Sequence, residues 1–374
     1  MIASTPDDTL PPRDADWRLA EPASLGFDPG RLSDAARFAA EHEIGWSRDL
    51  GRQLASGQFE PPPWNEILGP VSPRGGPAGV VLRHGRPAAS WGEDSRADMT
   101  FSVAKSYLAV LAGIAWADGL IGDVDEPVGA RVRDGGFDDP HNAGITWAHL
   151  LQQTSEWQGT LWSKPDQVDH YRELGAGADN SRKGELRPLQ AHGRHWEYND
   201  VRVNRLSLSL MRLFRRPLPE VLAERVMQPI GCSDDWAWRG YDNAWEMVEG
   251  RSMQGVPGGS HWGGGLWISA RDQARLGALI LRRGRWGDRQ VLPEAWVSRM
   301  LTPCVLKPDY GWLWWLNTGH ARWPAASERA AAAIGAGGNI ILVDPAHDLV
   351  LVARWLHEAH TAGLVARLIG AIED

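Results

Sequence analysis

Lysine is scarce in this 374-residue chain: Lys105, Lys164, Lys183 and Lys307 are the only four among 39 basic residues. Cysteine is scarcer still, and Cys232 and Cys304 are too few for a disulfide framework, so they read as two ordinary thiols. No run of like charge occurs, and the net charge of −8 gives no electrostatic footprint for nucleic acid. No stretch reaches the roughly 18 uncharged apolar residues that a membrane span needs. The nearest, residues 106–117, stops at Asp118 and reads as a buried helix. The first residues, "MIASTPDDTLPPRDADW", carry neither a basic nor an apolar leader segment, so the expected location is cytoplasmic, with no membrane partner. There is no 20–50-residue repeat and no low-complexity tract.

What is present is enough to build a large core: 43% of the residues are apolar, and 21 are tryptophan against six Phe and five Tyr. At about 150 residues per domain the length suggests two lobes. Residues 1–30 form a Pro- and Asp-rich arm, and residues 31–43 have helical periodicity. "GPAGVVLRHGRPAASWG" (76–92) reads as two strands around a His84-Gly85 turn, and residues 339–353 as a second hairpin. Residues 269–284 and the segment "TAGLVARLIGAI" read as helices, and the middle of the chain is helix and loop with few strand signals. The expected architecture is an antiparallel α/β sheet flanked by helices and built from both termini, residues 1–122 and 256–374. A mostly helical lobe, residues 123–255, is inserted, and a cleft between lobes is a common place for a small-molecule site.

One of the four lysines lies in "FSVAKSYLAVLAGIAWADG" (101–119), three residues after Ser102 in an otherwise apolar helix. Residues i and i+3 share a helix face, so Lys105 stands one turn inside Ser102. Burial and the positive end of the helix dipole both disfavour an ammonium there, which suits Lys105 to take a hydroxyl proton. The same helix terminus offers N–H groups to a developing oxyanion. A serine needs such a neighbouring base to become a nucleophile. The alternative reading of the pair is a serine N-cap beside a snorkelling lysine. No other S-x-x-K occurs in the chain.

Two further motifs follow in order: "HWEYND", with Tyr198, Asn199 and Asp200, and "IGAGGNIILVDP", with Gly335, Gly337 and Gly338 leading into a strand. Together the three resemble the penicillin-recognising serine enzymes, in particular class C β-lactamases and their esterase, D-amino-acid peptidase, linear-amide hydrolase and acyltransferase relatives. The resemblance covers about residues 75–355, including "ITWAHLLQQTS" and "WGGGLWISARDQARLG". It implies a β-lactamase/transpeptidase-like fold with Ser102 as the acyl-enzyme nucleophile and Lys105 and Tyr198 sharing proton transfer. It further implies an oxyanion hole from the N–H groups of Ser102 and Gly338, and glycines 335 and 337 where the substrate meets a bare strand edge. No metal or cofactor is implied.

Departures from the family pattern narrow the expectation. Class C enzymes have Tyr-x-Asn, whereas Asp200 stands third here, and a carboxylate near Lys105 favours the ammonium and shifts the base role towards Tyr198. Asn199 is the alternative polar group facing the cleft; the sequence leaves both open. No Lys-Thr precedes the third-motif glycines, which argues against β-lactam hydrolysis and for an ester or linear amide as substrate. Glu156 stands where relatives often carry Gly and is expected to point into the cleft, selecting an amino-bearing substrate. Among tryptophans near the motifs, Trp157 and Trp314 are candidates for an aromatic pocket wall, with plain packing as the alternative. "HEAH" (357–360) lacks the zinc-peptidase spacing. The sequence therefore reads as a serine hydrolase of small esters or amides. The rivals are an acyltransferase using the same acyl-enzyme, a β-lactamase or D-aminopeptidase, and a non-catalytic penicillin-binding-like sensor.

Overall fold

The strand-forming segments at the two ends of the chain find each other. In the computed structural model, which describes residues 10–60, 62–175 and 177–373, β1 (Ala78–Arg83) and β2 (Arg86–Trp91) form an antiparallel hairpin. His84 and Gly85 both have positive φ, the conformation that matches the twist of a two-residue hairpin. From the far end come β3 (Trp315–Leu316), β4 (Ala331–Gly335), β5 (Asn339–Asp344) and β6 (Leu349–Arg354). The sheet order is β3-β4-β5-β6-β1-β2, and every pair is antiparallel. Residues from opposite ends meet between β1 and β6, where Ala78 faces Arg354 and Arg83 faces Leu349.

β1, β5 and β6 are buried along their whole length. Their apolar runs are continuous because both faces are covered. One face, with Val81, Leu342 and Leu351, packs under α1 (Pro29–Glu41) and the C-terminal α5 (Thr361–Gly370). The other, with Val80, Ile341 and Val352, packs against α2 (Val103–Ala117) and α4 (Ala270–Leu281). β4 is the strand that sequence periodicity passes over: "AAAIG" is mostly alanine, a weak strand former. Pairing with β5 fixes it, and its small side chains let α2 lie against it.

α2 is buried from Val103 to Ala115 and packs against α3 (Asp200–Phe214). Gly113 on α2 has no room for a side chain, since a Cβ there would lie 2.5 Å from Leu292 and Trp296. Among the described residues the intervening chain also contains three short hairpins, and Ala237–Arg239 joins Gly265–Ile268 and Asp98–Met99 in a small sheet. Of the N-terminal arm, residues 1–9 lie outside the described residues. Beyond them, Arg275 anchors the arm at the Pro12 carbonyl and the Asp14 carboxylate. No helix among the described residues is long and apolar enough to cross a membrane.

Candidate active site

Ser102 immediately precedes α2, and its side chain makes no capping bond to the helix. Its Oγ instead accepts a 2.8 Å hydrogen bond from Lys105 Nζ. The backbone turns into this position through Phe101, whose φ of 52° is a left-handed conformation costly for an aromatic residue. Trp46, Phe59 and Trp355 surround the Phe101 ring and hold it there.

Lys105 is 1% exposed. Besides Ser102 it donates to the Gly258 carbonyl at 3.3 Å, lies 4.8 Å from the Tyr198 ring centre, and forms an ion pair with Asp200. The start of α3 decides which of two neighbours faces the lysine. Asn199 is the N-cap: its Oδ1 accepts from the Arg202 N–H, and its Nδ2 donates to the Asp166 carbonyl and Glu197. Its polar atoms are thus committed to the fold, and the expectation of a substrate-binding Asn199 does not fit this placement. Asp200, one position on, projects to Lys105.

The second Asp200 oxygen lies 3.0 Å from Arg172 and 3.1 Å from His261 Nδ1. Arg172 also pairs with Asp169, which reaches Lys183; Lys183 and His261 both contact Glu60. These side chains are all nearly buried. Three carboxylates therefore balance the three cations Lys105, Arg172 and Lys183, with His261 between Asp200 and Glu60. Burial alone would raise the Asp200 carboxyl, but Lys105, Arg172 and His261 outweigh it and hold Asp200 well below the usual carboxylate range. Tyr198 lies within this frame, with Arg172 5.1 Å from its ring centre and Trp315 stacked 5.8 Å away.

The strand edge beside Ser102 is the end of β4. A Cβ on Gly335 would stand 3.1 Å from the Ser102 nitrogen and 2.0 Å from the Thr100 carbonyl, so only glycine fits there. Gly337 packs on Trp355 and Trp46, and Gly338 lies against Leu356. The glycine that borders the Ser102 nitrogen is therefore Gly335, whereas the space beside Gly337 and Gly338 is taken by Trp355, Trp46 and Leu356. Among the described residues the Ser102 N–H has no acceptor.

Glu156 does not point into the cleft. It is fully buried, clamped by Arg187 and Arg202 and by the Gln190 N–H. Burial raises its carboxyl, but these partners win and lower it from 4.5 to about 2. A depressed carboxyl contributes stability above its ordinary value and loses it as pH falls towards the folded one. Glu156→Gln is therefore expected to lower stability at neutral pH by about 3 kcal/mol. The difference from wild type shrinks as pH drops from about 4.5 towards about 2, read as melting temperature against pH. A pH-independent difference would refute this.

Trp157 and Trp314 are core residues, Trp157 with its N–H on the Gly136 carbonyl. The aromatic side chains around Tyr198 are Trp196, Tyr310 and Trp315. Arg172, His261, Asp169 and Glu60 carry no sequence signal; only the rarity of lysine drew attention to Lys183. No group of three or more His, Cys, Asp or Glu among the described residues could hold a metal.

A family model described as Beta-lactamase matches residues 73–365. No curated protein matches the chain. Solved structures share the fold at low identity. EstCE1, a hydrolase with promiscuous acyltransferase activity, is 16% identical with a TM-score of 0.59, over 92% of this chain and 99% of its own. A penicillin-binding protein homologue from Caulobacter crescentus is 16% identical with a TM-score of 0.56, over 86% and 96%. A β-lactamase from Mycobacterium bovis is 20% identical with a TM-score of 0.52, over 80% and 92%.

Proposed function

Because this chain belongs to the serine β-lactamase-like hydrolase family, we propose that it cleaves a carboxylic ester or linear amide through an acyl-enzyme on Ser102, without a cofactor. The observation that carries this reading is the 2.8 Å contact between Lys105 Nζ and Ser102 Oγ at a buried helix start. Ser102 Oγ attacks the substrate carbonyl and its proton passes to the Lys105–Tyr198 pair. The oxyanion accepts from the Ser102 N–H and the strand edge at Gly335. Collapse expels the alcohol or amine, which takes the proton. Water activated by the same pair then adds to the acyl carbonyl and releases the acid. The ion pair with Asp200 engages Lys105, which leaves Tyr198 the larger share of proton transfer.

Gly335 and Ala336 stand where the family's Lys-Thr pair would be, so this strand end has no polar side chain to bind a β-lactam carboxylate. A panel of p-nitrophenyl esters, anilides, D-aminoacyl amides and nitrocefin, with a fluorophosphonate probe, tests the reading. Ester or anilide turnover and a covalent adduct on Ser102 are expected. Absence of both sinks it, and nitrocefin as best substrate overturns the substrate class. Acyl transfer is a second reading, favoured by the aromatic surroundings of Tyr198 and by the likeness to EstCE1. An added alcohol or amine that diverts product from acid to ester or amide distinguishes it.

A further inference from the structure

Beside Tyr198 lies a cavity of about 500 Å³. Trp196 and Trp315 form part of its wall, and Trp315 is the ring stacked on Tyr198. Arg172, which contacts the Tyr198 ring and Asp200, lines it too. The cavity is thus one side chain away from Lys105.

Of the cations in its wall, Arg172 and Arg187 are committed to Asp169, Asp200, Glu156 and Glu197, and Arg182 pairs with Glu185, which leaves Lys307 and Arg322. Two of the cations are held on indole faces: Arg322 lies 3.9 Å from the Trp315 ring centre and Lys307 5.5 Å from that of Trp196. Such stacking positions a long cationic side chain before any ligand arrives. Both cations share one carboxylate, Asp309, at 2.9 Å each, so this corner keeps one positive charge in excess.

Hydrogen bonding points the same way. Arg322 Nε and Trp196 Nε1 are buried N–H donors with no acceptor. A buried donor without a partner costs free energy that an incoming acceptor recovers. Both groups can only donate, so an ammonium ligand would satisfy neither, whereas a carboxylate is all acceptor.

We propose that this cavity receives the part of the substrate remote from the reacting carbonyl, and that this part ends in a carboxylate held by Lys307, Arg322 and the Trp196 N–H. The proposal rests on the serine-hydrolase reading and narrows it to anionic esters or amides. It also replaces the amino-bearing substrate that a cleft-facing Glu156 would have selected.

Two p-nitrophenyl esters of similar length test it, the neutral butyrate and the glutarate half-ester. Wild type is expected to prefer the glutarate in kcat/KM. Lys307→Gln and Arg322→Gln should each lower the glutarate value by about tenfold, as loss of one charge-assisted hydrogen bond implies. The butyrate value should stay within about threefold. A wild type without glutarate preference, or variants that lower both esters equally, overturns the proposal. Calorimetric binding of glutaric acid monoanilide against butyranilide to Ser102→Ala separates the two readings. If wild type cleaves neither the esters nor the two anilides and takes up no fluorophosphonate, the hydrolase reading fails. Tighter binding of the monoanilide, lost in Lys307→Gln on that background, would still establish the carboxylate site, and equal binding would refute it.

Discussion

Ser102→Ala is expected to lower kcat on the best ester by at least about 10³-fold, the scale seen when a nucleophile of a serine hydrolase is removed. Covalent labelling by a fluorophosphonate should vanish with it. The fold should hardly notice, because Ser102 neither caps α2 nor bonds to anything but Lys105 through its side chain. Melting temperature is the control: activity lost with the melt unchanged assigns the hydroxyl to chemistry. Equal labelling of the variant would move the nucleophile elsewhere and end the acyl-enzyme reading.

Asp200→Asn is expected to be the most damaging single substitution for stability and activity together. It leaves Lys105 and Arg172 buried with one negative charge fewer beside them. Breaking a buried pair from one side costs about 3–5 kcal/mol, because the remaining charge has no water to turn to. The carboxyl is depressed in the folded state, so its contribution is complete above the ordinary 3.8 and is lost as pH falls below it. The variant's deficit in melting temperature should therefore be full at neutral pH and narrow in acid. Kinetics adds a readout that a purely structural role would not move. With the carboxylate gone, the acid limb of the kcat/KM profile should shift to lower pH if Lys105 receives the Ser102 proton. An unshifted limb with reduced kcat assigns the transfer to Tyr198.

The sequence announced what is local. Ser102 and Lys105 are three residues apart on one helix, and β1, β2 and the 339–353 hairpin show as apolar runs around turn residues. The order of the three motifs pointed to the family model that matches residues 73–365. Neighbouring side chains that diverge were harder: Asn199 and Asp200 are equally polar, and only the helix start shows that one caps and the other faces Lys105. Glu156 misled for the same reason, since its arginine clamps come from residues 187 and 202. The ion network behind Tyr198 draws Glu60, Asp169, Arg172, Lys183 and His261 from segments with no shared period, so no pattern in the sequence foretold it. β4 stayed hidden because alanine marks no strand by itself.

The meeting of β1 with β6 sets how late in folding the surroundings of Ser102 are complete. Gly335, which borders Ser102, and Leu349–Arg354, which pair with β1, lie more than two hundred residues after it along the chain. Pairing across so long a loop is slow and comes late in folding. A chain truncated before residue 331 carries Ser102 and Lys105 without the strand edge beside them. The surroundings of Ser102 are thereby completed only once segments far apart along the chain have paired.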